Sequence, residues 1–99
     1  MKMKRGNLTP GKLPHLFLSV TTLTPTLTSD LMNRVDERYG VQLFSKDIPA
    51  VTMRFLVQRG LVQVVGPTGK GYKHAHVITP AGEAELARLR DLMQEADAA

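Results

Sequence analysis

At Gly60 the spacing of apolar residues changes character, and this change limits the folds open to the chain more than any other feature. Before it, apolar residues recur three and four apart, as on one face of a helix. After it, Leu61 to Val65 and Tyr72 to Ile78 are short runs rich in β-branched residues, as in strands. The turn-forming cluster Gly66 to Gly71 lies between them, so the two runs read as a hairpin with a loop of about six residues. At Thr79 the helical spacing returns. Thr79 is a cap and Pro80 suits a first helical position. Leu86, Leu89, Met93 and Ala96 then follow at intervals of 3, 4 and 3, a stripe that wants a partner surface.

Three helices are expected ahead of the hairpin. Leu13, Leu16, Phe17, Val20 and Leu23 share one helical face, with Pro14 tolerated in the first turn, and Pro25 disfavours helical geometry at Thr24. A short extended segment around Thr24 to Leu27 follows. Thr28 or Ser29 is expected to cap a second helix with the buried stripe Leu31, Met32, Val35 and Tyr39, which Gly40 stops. Ser45 or Asp47 is expected to cap a third, with Pro49 in its first turn, Ala50, Met53, Leu56 and Val57 turned inward, and Gly60 at its end. Residues 1–12, with Gly6, Pro10 and Gly11 among four basic side chains, read as a flexible basic arm.

An apolar share of 42% over 99 residues supports one modest core. With no cysteine, nothing requires an oxidising compartment, and a cytoplasmic location is expected. The basic start and the apolar run Leu13 to Val20 superficially suggest a secretory leader. Pro14 and His15 interrupt that run, and no small-residue cleavage pattern follows it. No run approaches the roughly 20 apolar residues of a membrane span, so no membrane role is expected. Residues 1–82 carry 11 Lys and Arg against 4 Asp and Glu, whereas residues 83–99 carry 2 against 5. A basic body suits a polyanion, because each phosphate neutralised by Lys or Arg releases condensed counterions. The acidic C-terminal helix is expected to point away from such a partner.

Signatures of other chemistries fail on spacing. In GPTGKG, residues 66–71, a phosphate-binding loop would need glycine where Val64 stands and Ser or Thr where Gly71 stands. His74 and His76 share a strand face, but no third metal ligand has a suitable spacing. Asp36 and Glu37 look like a solvated helix edge rather than an acid–base pair, and no nucleophile has a catalytic context. Neither an enzyme nor a cofactor is expected.

Helix, short strand, helix, helix, hairpin, helix is the order of a winged helix-turn-helix: an α+β fold with three helices, a two- to three-stranded wing sheet and a C-terminal helix. SDLMNRVDERYG (Ser29 to Gly40), the stretch from Ser45 to Val62 ending in FLVQRGLV, and YKHAHVITPAGEAEL (Tyr72 to Leu86) together resemble the PadR-like and MarR-like transcriptional repressors. The most telling pieces are RGLV at the entry to the wing and ITPAGE at the exit from it. Two departures stand out: Ala50 occupies a place where PadR-like proteins usually carry an aromatic residue, and the last 20 residues are fewer than their usual C-terminal helix or helical pair.

The resemblance implies a homodimer on double-stranded DNA. Residues 13–79 would form the DNA-binding domain and residues 80–99 the dimerisation helix, and the third helix, residues 45–60, would enter a major groove about 12 Å wide. On that helix Lys46 and Thr52 are expected at base edges or nearby phosphates, Val51 against a thymine methyl, and Arg54 and Arg59 on phosphates. Arg54 and Gln58 are placed at the border of its outward face. In the wing, Lys70, Lys73 and His74 surround a glycine-rich tip suited to close approach to phosphate or minor groove. Lys2, Lys4, Arg5 and Lys12 add screened attraction. Leu16 and Phe17 of the first helix, with Leu86, Leu89 and Met93 of the last, are the expected dimer contacts. The residues identify no effector pocket. The alternative is a protein–protein module, in which Phe55, Val51 and the wing grip a partner, for instance one of a phage or a polymerase.

Overall fold

The computed structural model describes residues 8–42, 47–66 and 75–98. Along them run α1 (Leu13–Val20), β1 (Thr26–Leu27), α2 (Thr28–Tyr39), α3 (Asp47–Gln58), β2 (Val62–Val65), β3 (Ala75–Ile78) and α4 (Pro80–Ala98). The three strands form one antiparallel sheet in the order β1-β3-β2, with Thr26 opposite His76 and Val62 opposite Ile78. The hairpin formed by β2 and β3 therefore gains a third, two-residue strand from the segment between α1 and α2. Among the described residues no helix is long and apolar enough to cross a membrane.

The core joins all four helices to the sheet. Phe17, Leu18, Leu31, Val35, Leu56 and Leu89 are fully buried, and Met53, Leu61 and Val62 nearly so. Each such side chain contributes on the order of 1.5–3 kcal/mol by leaving water.

Two expected boundaries move. α1 stops at Val20, short of Leu23, because Thr21 turns its backbone to the extended region and caps the helix end: its N–H donates to the Leu18 carbonyl at 3.1 Å and its hydroxyl to the Phe17 carbonyl at 2.8 Å. Leu23 is consequently 70% exposed instead of lying on the buried face. α2 begins at Thr28 itself, with Leu27 as N-cap and no side-chain cap bond, so neither Thr28 nor Ser29 caps it. Tyr39 also leaves the expected buried stripe: it is exposed, and its hydroxyl meets Ser19 Oγ at 2.6 Å across α1 and α2. Residues 8–12 do not form a loose arm, because Leu8 is part of the core.

The two motifs that carried the sequence argument meet in space. α3 ends in a Schellman arrangement: the Gly60 N–H donates to the Val57 carbonyl and the Leu61 N–H to the Leu56 carbonyl, both at 3.0 Å, with Gly60 at φ +74°. Thr79 then ties this exit to α4. Its hydroxyl donates to the Gly60 carbonyl at 2.6 Å and accepts the Gly82 N–H at 3.1 Å, while its own N–H donates to the Leu61 carbonyl at 3.1 Å. RGLV and ITPAGE are thus two halves of one junction, which fixes the angle between α3, the sheet and α4.

Candidate nucleic-acid interface

α3 turns about 100° per residue, so its buried side chains define its free face. Pro49, Thr52, Met53 and Leu56 are buried. Diametrically opposite lie Asp47, Ala50, Val51, Arg54 and Gln58, all exposed, at the i, i+3, i+4, i+7 and i+11 spacing of one stripe. Val51 is 57% exposed, and Ile48, on the flank, 39%. None of the chain's described elements covers this stripe.

The helix is rotated by roughly 60° from the sequence expectation. Ala50, expected inside, is exposed, and Val57 is only half-buried. Thr52, expected at a base edge, is 7% exposed, and its hydroxyl donates to the Ile48 carbonyl at 2.7 Å. The reason is chemical: threonine can bury its methyl group and satisfy its hydroxyl one turn back, so a polar letter can occupy a core position. Arg59, expected on phosphate, is half-buried, with its guanidinium carbon 4.1 Å from the Phe55 ring centroid. Its Nε is buried with no hydrogen-bond partner among the described residues. The stacked pair sits on the same flank as Ile48. Arg54 moves the other way, from the border of the outward face to its centre, and Gln58 moves with it. Lys46, Lys70, Lys73 and His74 lie outside the described residues.

Beside the free face runs an open groove of about 480 Å³, lined by Thr28 at the start of α2, by Ala50, Met53, Arg54 and Val57 of α3, and by Val64 and His76 of the sheet. Arg54 therefore borders both the exposed stripe and the groove toward the sheet. His76 itself is buried, as the inward-pointing residue of β3, and is not a surface cation. At the first turn of α3, Asp47 complements the positive end of the helix dipole.

The expected dimer contacts divide. Phe17 and Leu89 have no exposed surface and belong to the chain's own core, so neither can meet a second copy. Leu16 and Leu86 are half-buried against that core. Met93 is 47% exposed, and Leu92, which the 3, 4, 3 spacing skipped, is 39% exposed beside it. The reason again lies in tertiary packing: the first turns of α4 spend their apolar face on α1, and only beyond Leu89 is an apolar surface left over.

No family model matches the chain, and no curated protein matches it in sequence. Solved structures do match in fold. A PadR-like transcription factor from Bacteroides fragilis superposes with a TM-score of 0.72 at 15% identity, covering 87% of this chain and 84% of the other. A candidate transcriptional regulator from Thermoplasma acidophilum gives 0.70 at 23% identity, covering 87% and 83%. SSV1 F-93 gives 0.57 at 18% identity, covering 93% and 98%. Among the described residues, four helices and a three-stranded antiparallel sheet in this order make an α+β winged helix-turn-helix, with the fold of PadR-like transcription factors.

Proposed function

We propose that the chain is a sequence-specific regulator of transcription, a repressor that binds double-stranded DNA as a homodimer in the cytoplasm. The observation that carries this reading is the uncovered face of α3, where Arg54 and Gln58 stand one turn apart with Val51 beside them. Inserted in the major groove, Arg54 has the donors to read guanine O6 and N7, Gln58 the donor and acceptor to read adenine, and Val51 an apolar surface for a thymine methyl. Lys46, and Lys70, Lys73 and His74 in the segment joining β2 to β3, supply phosphate contacts. Arg59, stacked on Phe55, holds a charge at the flank where the backbone would pass. Thr52 has no part in readout.

Two copies joined through the exposed end of α4, at Leu92 and Met93, would present two α3 helices to half-sites about 34 Å apart. With about four phosphates neutralised per protomer, log affinity falls against log salt with a slope of roughly −7. Fluorescence titration of a pool of genomic fragments at two salt concentrations tests this. Salt-dependent retention of a sequence-related subset is the expected result, and absent or salt-insensitive binding rejects the reading.

A second reading has one observation in its favour, the exposure of Ile48 and Val51 on the same helix. A protein partner would use that apolar edge. In that case Arg54→Glu leaves DNA affinity almost unchanged, whereas DNA readout requires it to collapse.

A further inference from the structure

The N-terminal end of the described chain is fastened to α4 by a set of polar contacts that DNA readout does not use. Leu8 is buried in the core cluster with Phe17, Leu18 and Leu89. Its N–H donates to Glu85 Oε2 at 2.5 Å, and its carbonyl accepts from Arg88 Nη2 at 3.0 Å. Arg88 in turn grips Glu85 in two-pronged fashion, Nε to Oε1 and Nη2 to Oε2, each at 2.7 Å. One residue's backbone is thereby held by both members of an ion pair whose carboxylate is buried.

The next four residues form a turn. The Lys12 N–H donates to the Thr9 carbonyl at 3.3 Å, with Pro10 and Gly11 in the middle and Gly11 at φ +80°, the conformation a type II turn requires at that place. In such a turn the Gly11 N–H points outward, and here it donates to His15 Nδ1 at 2.9 Å. His15 is buried in the first turns of α1. Because Nδ1 accepts, the neutral ring carries its proton on Nε2. A proton added at Nδ1 would face the Gly11 N–H, turning an acceptor into a second donor and abolishing the bond.

We propose that His15, together with the Glu85–Arg88 pair, forms an acid-released latch that holds residues 8–12 across the α1–α4 corner at neutral pH and frees them when the imidazole is protonated. Among the described residues the charged groups around the ring are few. α4 contributes Glu85, whose charge favours the imidazolium, and Arg88, which is committed to Glu85 and Leu8. Lys12 at the start of α1 is exposed. Arg34 and Arg38 of α2 bond to the carbonyls of Val20 and Ser19, at the other end of α1. Of the arginines of α3, Arg54 is on the exposed stripe and Arg59 on Phe55. Burial holds His15 below its ordinary value of 6.5 against the opposing pull of Glu85, which is the direction a closed latch requires.

Release withdraws Leu8 from the core cluster that it helps to close. The latch stands independently of the DNA reading, since it is measured without DNA. Amide exchange of the whole chain, followed by NMR as protection factors between about pH 7.5 and about pH 5.5, reads it directly. The expected result is a fall of about tenfold or more at Leu8 and Gly11, with Val35 and Leu56 remaining far more protected than either at about pH 5.5. His15→Asn keeps an acceptor near the Nδ1 position without titrating and should hold Leu8 and Gly11 protected across the range. A second measurement needs no variant: the imidazole titration midpoint should coincide with the loss of protection. Constant protection in the parent chain, equal loss in His15→Asn, exchange at Leu8 and Gly11 no faster than at Val35 and Leu56, or non-coincident midpoints would overturn the proposal.

Discussion

Gly82, in the first turn of α4, lies so close to the main-chain carbonyl of Leu61 that a side chain on residue 82 would overlap its oxygen; the same Cβ would sit 2.7 Å from Ile78 Cγ1. The obstacle is mostly backbone, at the junction Thr79 ties together, and cannot be relieved by turning a flexible side chain.

Gly82→Ala should therefore destabilise the protein, although alanine is the better helix former by about 1 kcal/mol. Overpacking against fixed backbone is expected to outweigh that gain, for a net loss of about 2 kcal/mol. Urea unfolding monitored by circular dichroism checks the sign, and a rise in midpoint would show that α4 can shift away from the sheet without penalty.

Arg54 and Thr52 are two residues apart in sequence and on opposite sides of α3. Arg54→Ala should weaken specific DNA binding by about 1–3 kcal/mol, the scale of a good base or phosphate contact. Thr52→Val should leave DNA affinity within about twofold, because it changes only a buried hydroxyl that donates to the Ile48 carbonyl. Anisotropy titrations of both variants at one salt concentration distinguish this face from the one rotated by some 60°.

Phe17 and Met93 separate folding from association in the same way. Phe17→Ala should cost about 3–5 kcal/mol, a large part of the total stability of a domain this size, and be seen as a lowered unfolding midpoint. Leu92→Glu with Met93→Glu should leave the unfolding of the protomer nearly unchanged and shift sedimentation toward the monomer. A double variant that sediments like the parent chain would remove the end of α4 from the proposed dimer.

Stability should fall as the solution is acidified from neutral. Burial lowers His15 below 6.5, so the unfolded chain takes up its proton first, and the stabilisation present above 6.5 is lost as pH drops below it. Glu85 adds a second, lower step. Burial pushes its carboxyl up, but the hydrogen bonds from Arg88 and the Leu8 N–H, with the charges of Arg88 and His15, outweigh burial and leave it below 4.5. Its contribution is present above 4.5 and lost below. Urea midpoints across this range should decline in both steps in the parent chain, and His15→Asn should lose the upper step alone.

The order of elements was legible in the amino acids because it rests on local physics. The switch of apolar period at Gly60, the Thr79–Pro80 start, and the Gly40 and Gly60 stops each reflect what a few neighbouring residues permit, and all of them hold in the structure. The faces of the elements were less legible. Ala50 and Thr52 carry too little hydrophobic contrast to orient α3, and Leu89 fits the spacing of a partner-seeking stripe as well as that of a core.

Only the packing of α1 against α3 and α4 decided which way α3 faces, that Phe17 and Leu89 are spent in the chain's own core, and that Leu8 is drawn in by a carboxylate 77 positions away. Burial is a property of what stands opposite a side chain, and that neighbour is set by the whole chain rather than by its own stretch of sequence.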